Sequence, residues 1–320
     1  VQTCALPISG NLSALVAARW HWRHRNNGAF DTVRGLMVAS RAAHSSVASA
    51  ARAMDVDVVW VDTDERGRMS GDATRAAVAR LSDAEVARVF AIVATAGTTN
   101  VGVVDDLTGV GEVARHIGAW FHVDGAYGAA ALCAPSRRAL FAGIELADSF
   151  IVDPHKWLFA PFDSCALVYR NPQIARAAHT QRAEYLDALH VNDDWNPSDY
   201  AHHLSRRPRG LPLWFSLATH GTDAYAAAVE RTLSVTDQAA DRIRRAAHVE
   251  LLLEPELSIL LFRRTGWTHE QYESWSARVL ADGVTFTVPT AWHGETCLRL
   301  CIVNPETTVK DIELVLETLK

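Results

Sequence analysis

The stretch Ser149-Phe-Ile-Val-Asp-Pro-His-Lys-Trp-Leu158 joins a short apolar run to a polar continuation. The run 149–152 has the composition of a buried strand, and residues 153–156 follow it directly. In an open α/β sheet, ligands bind just beyond the carboxyl ends of the strands. The stretch therefore predicts both a strand of such a sheet and the position of a site.

Lys156 is the only lysine in the first 309 residues, and Lys310 and Lys320 lie at the C-terminal end. Elsewhere the chain uses arginine for positive charge, although a guanidinium cannot act as a nucleophilic amine. A lysine kept in an arginine-biased chain indicates amine chemistry, most simply a Schiff base with a carbonyl group or with pyridoxal phosphate. The alternative is that Lys156 is a surface lysine without a chemical role.

Strands and helices alternate along the chain on both sides of this stretch. Strands are predicted at 32–39, 55–61, 88–94, 120–123 and 165–169. Helices are predicted at 11–19, 44–54, 73–81, 109–117 and 136–142. This alternation is typical of an α/β fold with a mostly parallel sheet. Asp124 comes directly after the strand 120–123, so we expect it to face the same crevice as Lys156.

The composition changes after about Arg170. Residues 176–210 are polar and mixed, and a mobile loop is predicted at about 185–205. A long helix from 213 to about 247, with a break near Gly221, leads into a smaller α+β domain. Its strands are predicted at 257–262, 284–288 and 296–303, and its helices at 270–282 and 309–319. We therefore predict a large domain over 10–212, and a linking helix with a small domain over 213–320.

Composition excludes several classes of protein. A net charge of -6 without a long basic run argues against a nucleic-acid partner. No apolar run approaches the roughly 20 residues that span a membrane. The five cysteines lack CxxC spacing, which indicates reduced core residues and a cytoplasmic protein. The histidine pairs at 21/24 and 202/203 have no further ligand at metal-site spacing, so no metal is predicted.

Four short motifs occur in the order and spacing of one known family. They are Ala-His-Ser-Ser at 43–46, Thr-Ala-Gly-Thr-Thr at 95–99, His-Val-Asp-Gly-Ala-Tyr at 122–127 and Asp-Pro-His-Lys-Trp at 153–157. From Asn11 to its end, the chain resembles the group II pyridoxal-phosphate-dependent amino-acid decarboxylases. The resemblance implies the aspartate-aminotransferase-like fold (fold type I), with a large domain built on a mostly parallel sheet and a smaller α+β C-terminal domain.

The resemblance also implies roles for individual residues. Lys156 would bind pyridoxal 5'-phosphate covalently, and Asp124 would keep the pyridine nitrogen protonated, so that the ring accepts electrons. His44 is similar to the histidine that stacks on the ring, and Ala126 would lie against the opposite face. The alternative for His44 is a packing role at the start of a helix.

Further positions are carried over with alternatives beside them. Thr98 or Thr99 would bond near the ring or the lysine, and both also suit a glycine turn with β-branched packing. His155 would reach the phosphate, beside which Asp153 replaces the asparagine of many relatives. Tyr200 is the best match to the loop tyrosine that protonates the substrate carbon, and a structural role is equally compatible with its position.

The implied reaction is decarboxylation of an L-amino acid to the amine and carbon dioxide through an external aldimine and a quinonoid intermediate. The implied assembly is a homodimer with shared active sites. Two alternatives stay open. One is another reaction of the same fold, such as a carbon–carbon lyase or an aminotransferase, because fold alone does not fix the reaction. The other is an inactive truncated fragment that acts only as an assembly partner.

The N-terminal residues need separate treatment. Residues 1–8 read like a translated sequencing-adapter oligonucleotide, so we expect residues 1–9 to be a scar that carries no information about the fold. In the family, a Ser/Gly-rich loop before the helix at Asn11 binds the phosphate, and only Ser9 and Gly10 remain of it here. We therefore expect an N-terminally truncated chain that binds the cofactor weakly or not at all.

Overall fold

A seven-stranded sheet forms the centre of the N-terminal part of the chain. The structure is a computed structural model and describes residues 2–4, 7–181, 195–201 and 204–320. The strands are β1 Gln2–Cys4, β2 Leu36–Ser40, β3 Asp57–Val61, β4 Val89–Thr95, β5 Trp120–Asp124, β6 Ser149–Val152 and β7 Cys165–Tyr169, in the spatial order β1-β7-β6-β5-β4-β2-β3. Strands β2 to β6 are parallel, and β7 is antiparallel to both of its neighbours.

Helices cover both faces of this sheet. They are α1 Pro7–Arg25, α2 Ser45–Met54, α3 Gly71–Val78, α4 Asp83–Val86, α5 Leu107–Ile117, α6 Pro154–Trp157 and α7 Pro172–His179. Residues of α1 and α2 pack with Met37 and Ala39 of β2, whereas residues of α3 and α5 pack with Leu36 and Val38 of the same strand. Because successive side chains of a strand point to opposite faces, a strand covered on both sides must be apolar throughout.

A second, antiparallel sheet follows the long helix α8 Gly210–Arg245. Its strands β8 Val249–Leu253, β9 Ile259–Arg264, β10 Pro289–Trp292 and β11 Glu295–Cys301 lie in the order β10-β11-β9-β8. Helices α9 His269–Ala281 and α10 Val309–Glu317 pack with the C-terminal half of α8 against it. Gly221 interrupts α8 with φ 77°, at the position where the sequence predicts a break. A positive φ is accessible to glycine at little cost, which explains the kink.

The predicted fold class is confirmed, because a mostly parallel sheet with helices on both faces is joined to a smaller α+β unit. Two predicted elements are wrong. Residues 136–142 hold only a short 3₁₀ turn at Arg138–Phe141, and residues 284–288 are irregular, since the strand there begins at Pro289.

The N-terminal residues that the structure describes have regular backbone structure. Helix α1 begins at Pro7, four residues before the predicted start at Asn11, and the backbone of Gln2–Cys4 pairs with β7. That residues 1–9 are a scar stays a prediction. Within the described residues, no helix is both long enough and apolar enough to cross a membrane. The domain bounds at 212/213 stay a prediction.

Candidate active site

Several polar side chains lie at the carboxyl edge of the parallel strands. Thr95, the last residue of β4, is paired in register with Asp124, the last residue of β5. Asp124 in turn is in register with Ile151 of β6, and α6 follows that strand. This edge is where ligands bind in open α/β sheets, so the structure brings the two predicted stretches together.

The Asp124 carboxylate is buried, with 3% of the residue exposed. Its Oδ2 accepts a hydrogen bond from Asn11 Nδ2 at 2.8 Å, and its Oδ1 accepts one from the backbone N–H of Ala126 at 3.1 Å. Donors of this kind stabilise the ionised form of a buried carboxylate. Each oxygen still has acceptor capacity, because a carboxylate can accept about four hydrogen bonds.

Lys156 lies in the one-turn helix α6, and 35% of its side chain is exposed. Its Nζ is 3.2 Å from Oδ2 of Asp153, which is fully buried. Burial raises the pKa of Asp153 to about 6, and the nearby Lys156 opposes that rise. The backbone N–H of Asp153 donates to the carbonyl of Ala126 at 2.9 Å, which joins the Lys156 segment to the segment that carries Asp124.

His44 and Ala126 occupy positions compatible with the ring contacts expected of them. His44 is partly exposed and caps α2, because its Nδ1 accepts from the N–H of Ser46 at 3.2 Å. Ala126 is buried beside Ala14 and Ile151. The capping role of His44 and a stacking role are compatible, since capping uses one ring nitrogen and leaves the ring face unused.

His155 is held in place by the segment that follows α6. Its Nδ1 contacts the backbone of Ser164, both the carbonyl oxygen and the N–H, and its ring meets Phe162 edge-on at 5.1 Å. The residue is partly exposed. With Nδ1 occupied, Nε2 is the nitrogen available to an external group.

For three predicted residues, no hydrogen bond or ion pair between described residues leads to this group. Thr98 is buried, and its hydroxyl accepts from the N–H of Val103 at 3.3 Å, which stabilises the turn after β4. Thr99 is exposed. Tyr200 is buried among Ala17 and Ala175. Their roles at the site stay predictions. Most of the mobile loop predicted at about 185–205 lies outside the described residues, namely 185–194 and 202–203.

The sequence analysis missed three residues that the structure places at or behind this edge. Asn11 and His122 are fully buried and hydrogen-bonded to one another, with Asn11 Oδ1 2.9 Å from His122 Nε2. Thr95 is buried at the end of β4, and its Oγ1 has no partner among the described residues. His122 and Thr95 belong to the motifs at 122–127 and 95–99, so their polar character at a strand end was an available signal.

The arrangement combines a buried carboxyl group, Asp124, with a partly exposed amine, Lys156. The carboxylate can hold a protonated ring nitrogen, and the amine can bond covalently to a carbonyl carbon. Within the described residues, no three histidine, cysteine, aspartate or glutamate side chains are grouped as ligands for a metal ion. The carboxyl group and the amine together suit an organic cofactor with a carbonyl group and a basic ring nitrogen.

Comparison with known proteins points to one family. The family described as "Pyridoxal-dependent decarboxylase conserved domain" matches residues 7–265. An aromatic-L-amino-acid decarboxylase of Drosophila lebanonensis is 33% identical over 281 residues, which cover 86% of this chain and 68% of that protein. An L-2,4-diaminobutyrate decarboxylase of Acinetobacter baumannii is 30% identical over 80% of this chain and 53% of that protein.

A solved structure agrees with these matches. The glutamate decarboxylase domain of a Vibrio parahaemolyticus protein, described as a diaminobutyrate-pyruvate transaminase and L-2,4-diaminobutyrate decarboxylase, superimposes with a TM-score of 0.84 at 27% identity. The alignment covers 99% of this chain and 66% of that one. The chain thus spans from about half to about two thirds of the length of the relatives it matches.

Proposed function

Because the chain belongs to the pyridoxal-dependent decarboxylase family, we propose that the protein removes the carboxyl group of an L-amino acid as carbon dioxide and releases the amine. The observation that carries this proposal is the pair of Asp124 and Lys156 at one sheet edge, joined through Ala126 and Asp153. We further propose a cytoplasmic homodimer with shared active sites. The thiols of Cys133, Cys297 and Cys301 form no disulfide among the described residues, which suits a reducing compartment.

The residues present fit pyridoxal 5'-phosphate. Lys156 would hold it covalently through Nζ, and Asp124 would bond to its ring nitrogen. His44 and Ala126 would lie against the two ring faces, and His155 would bond to the phosphate through Nε2. When bound, the cofactor supplies an electron sink for the electron pair that the departing carboxylate leaves on the α-carbon.

The protein's own residues would fix charges and protons at defined atoms. Asn11 and Ala126 donate to the two oxygens of Asp124, so this carboxylate would be held in place to keep a proton on a ring nitrogen. Lys156 Nζ is an amine at this sheet edge that can carry a proton, and the Asp153 carboxylate balances its charge. Tyr200 as the proton donor to the substrate remains a hypothesis, because its ring is buried beside Ala17 and Ala175.

Trapping of the covalent bond tests the cofactor site. After incubation with a large excess of pyridoxal phosphate, which compensates for the weak affinity expected of this chain, and reduction with borohydride, peptide mapping should locate the adduct on Lys156. Lys156→Ala should abolish the adduct, and Lys310→Ala, a matched change of an exposed lysine, should retain it. An adduct elsewhere, or none, would overturn the assignment.

Product analysis tests the reaction itself. Amino acids labelled at the carboxyl carbon, with aromatic, acidic and diamino side chains, should yield labelled carbon dioxide and the amine. Formation of a keto acid from a substrate that keeps its label would instead identify an aminotransferase. Cleavage of the side chain from the α-carbon would identify a carbon–carbon lyase.

A further inference from the structure

We propose that Asn11 is a positioning residue of this site, because its one amide group holds both the Asp124 carboxylate and, through Ser46, the ring of His44. The inference rests on the proposed function, which assigns these two residues to opposite sides of one cofactor. Asn11 lies in α1, far from both partners in sequence. We call the connected set the Asn11 relay; its members are Trp120, Ser149, His122, Asn11, Asp124, Ser46 and His44.

Asn11 is connected to Asp124 directly and to His44 through Ser46. Its Nδ2 donates one hydrogen to Asp124 Oδ2 at 2.8 Å and the other to Ser46 Oγ at 3.0 Å. The Ser46 hydroxyl is then free to donate its own hydrogen to His44 Nδ1, at 2.9 Å. That nitrogen also accepts from the Ser46 N–H, which agrees with an unprotonated Nδ1. One amide therefore fixes a carboxylate and an imidazole together.

The relay members His122, Ser149 and Trp120 fix the orientation of the Asn11 amide. Asn11 Oδ1 lies 2.9 Å from His122 Nε2, and His122 Nδ1 lies 2.8 Å from Ser149 Oγ. Ser149 Oγ accepts from Trp120 Nε1 at 2.8 Å. Its own hydrogen is thus available to His122 Nδ1, in which case His122 donates from Nε2 to the Asn11 carbonyl.

Only one assignment of hydrogens satisfies every member of the relay while Asp124 is ionised. A reversed Asn11 amide would place its carbonyl oxygen against the Asp124 carboxylate, with two acceptors facing one another. A charged His122 would require Ser149 Oγ to accept two hydrogens and donate its own elsewhere. The charge on Asp124 thus selects the neutral His122 tautomer that carries its hydrogen on Nε2.

Burial makes this arrangement costly to disturb. Asn11 and His122 have no exposed surface, and Ser46, Ser149 and Asp124 are almost as deeply buried. A buried polar group that loses its partner is penalised by its full desolvation cost, and hydrogen bonds to charged groups are among the stronger ones. Disturbing Asn11 should therefore change the orientation of Asp124 and His44 in addition to the stability of α1.

A matched series of variants separates positioning from packing. Asn11→Asp keeps the side-chain volume but removes both donors, and Asn11→Ala removes the volume as well. Ser13→Ala is the control on the same helix, since Ser13 is buried and its hydroxyl has no partner among the described residues. Each folded 320-residue variant is titrated with pyridoxal phosphate by absorbance, and its unfolding midpoint is recorded.

We expect Asn11→Asp to raise the dissociation constant at least about tenfold, the scale of one lost hydrogen bond to a charged group, and no less than Asn11→Ala does. Ser13→Ala should bind like the parent chain. His122→Gln, which keeps an amide donor, should bind better than His122→Phe. If Asn11→Asp binds like the parent, or the Ala variant is clearly the worse of the two, Asn11 acts only by packing.

A second readout does not require the cofactor. In the ¹⁵N-labelled chain at pH 7, NMR should show His122 neutral with its hydrogen on Nε2, and Asn11→Ala should lose this single tautomer. A charged His122, or hydrogen on Nδ1, would overturn the relay. A chain with the expected tautomer that binds no cofactor would count against the proposed function alone, whereas ordinary binding and turnover with unaffected Asn11 variants would count against the relay alone.

Discussion

His122 is the residue whose protonation is most strongly opposed by the fold. Burial lowers its pKa to about 4, and the nearby Asp124 only partly offsets that effect. In the unfolded chain a histidine has a pKa of about 6.5. Between these two values the unfolded chain binds the proton and the folded chain does not. The stability contributed by a neutral His122 is therefore present above pH 6.5 and is lost as the pH falls toward 4.

We predict that His122→Gln reduces the dependence of the free energy of unfolding on pH between pH 4 and 6.5. For the parent chain this one residue contributes a fall of up to about 1.4 kcal/mol in the free energy of unfolding per pH unit. Urea unfolding at several pH values between 4 and 6.5 measures the slope. His116 is exposed, and His116→Gln is the control that should leave the slope unchanged. Equal slopes in the parent and in His122→Gln would contradict the prediction.

The ion pair of Lys156 and Asp153 gives a second prediction at this scale. Lys156→Met should lower the free energy of unfolding at pH 7, because the Asp153 charge is left buried without its partner. We expect a loss of about 1–2 kcal/mol, smaller than for a fully buried pair, since Lys156 is partly exposed. Adding Asp153→Asn should restore most of it, as measured by urea unfolding.

The pH dependence of that loss follows from the raised pKa of Asp153. Below about pH 6 the buried carboxyl accepts a proton, so removal of the lysine then leaves no uncompensated charge. The difference between Lys156→Met and the parent should therefore shrink as the pH falls. A double variant no more stable than Lys156→Met would show that Asp153 does not depend on this lysine.

At the scale of elements, α6 is anchored to α8 by one buried hydrogen bond. Trp157 is fully buried, and its Nε1 donates to Thr232 Oγ1 at 2.9 Å. Thr232→Val should leave this N–H without a partner and destabilise the fold by about 1–3 kcal/mol. Thr236→Val is the control one turn later, because its hydroxyl bonds only to the Thr232 carbonyl. Urea unfolding that finds the two variants equal would rule out the anchor.

The sequence predicted elements best where burial dictates composition. All seven residues of β4 and all five of β2 and β5 are buried, and the apolar runs identify these strands to within a few residues. The strand Val249–Leu253, mostly half-buried, was missed. Residues 284–288 alternate like a strand but precede Pro289, and pairing begins only at that proline. Such pairing depends on the partner strand, which local sequence does not specify.

At the scale of the whole molecule, Tyr127 links the site to the second sheet. Its hydroxyl is 2.6 Å from Ser258 Oγ and accepts from the Ser258 N–H at 2.9 Å. Its ring stacks on Trp157 with the centroids 5.1 Å apart. The residue thus contacts the Lys156 helix and the residue just before β9, and it lies three positions after Asp124.

Tyr127→Phe should therefore affect both stability and cofactor binding. We expect a loss of about 1–3 kcal/mol in the free energy of unfolding, because the Ser258 N–H and hydroxyl lose a buried partner, together with weaker binding of pyridoxal phosphate. Tyr272→Phe is matched, since the Tyr272 hydroxyl makes a similar pair of bonds to the Arg264 backbone within the small unit. It should reduce stability alone. Unchanged cofactor affinity in Tyr127→Phe would contradict the link.

The candidate site was only partly predictable because its members come from distant parts of the chain. Asp124, Asp153 and Lys156 follow strands directly, so strand order and the parallel-sheet rule were enough to place them at one edge. Asn11 bonds to Asp124 across 113 positions and to Ser46 across 35. No local pattern marks such a residue, since its partners are defined only when α1 packs beside α2 and β5.

The one-turn helix α6 carries the only lysine in the first 309 residues, and this has a practical consequence. A protease specific for lysine would cut the first 309 residues of the denatured chain at a single bond, between Lys156 and the following tryptophan. Any group attached to Nζ blocks that cut. The fraction of the uncut fragment 1–310 on a gel would then count the molecules that carry a reduced adduct at this amine, without reference to colour or turnover.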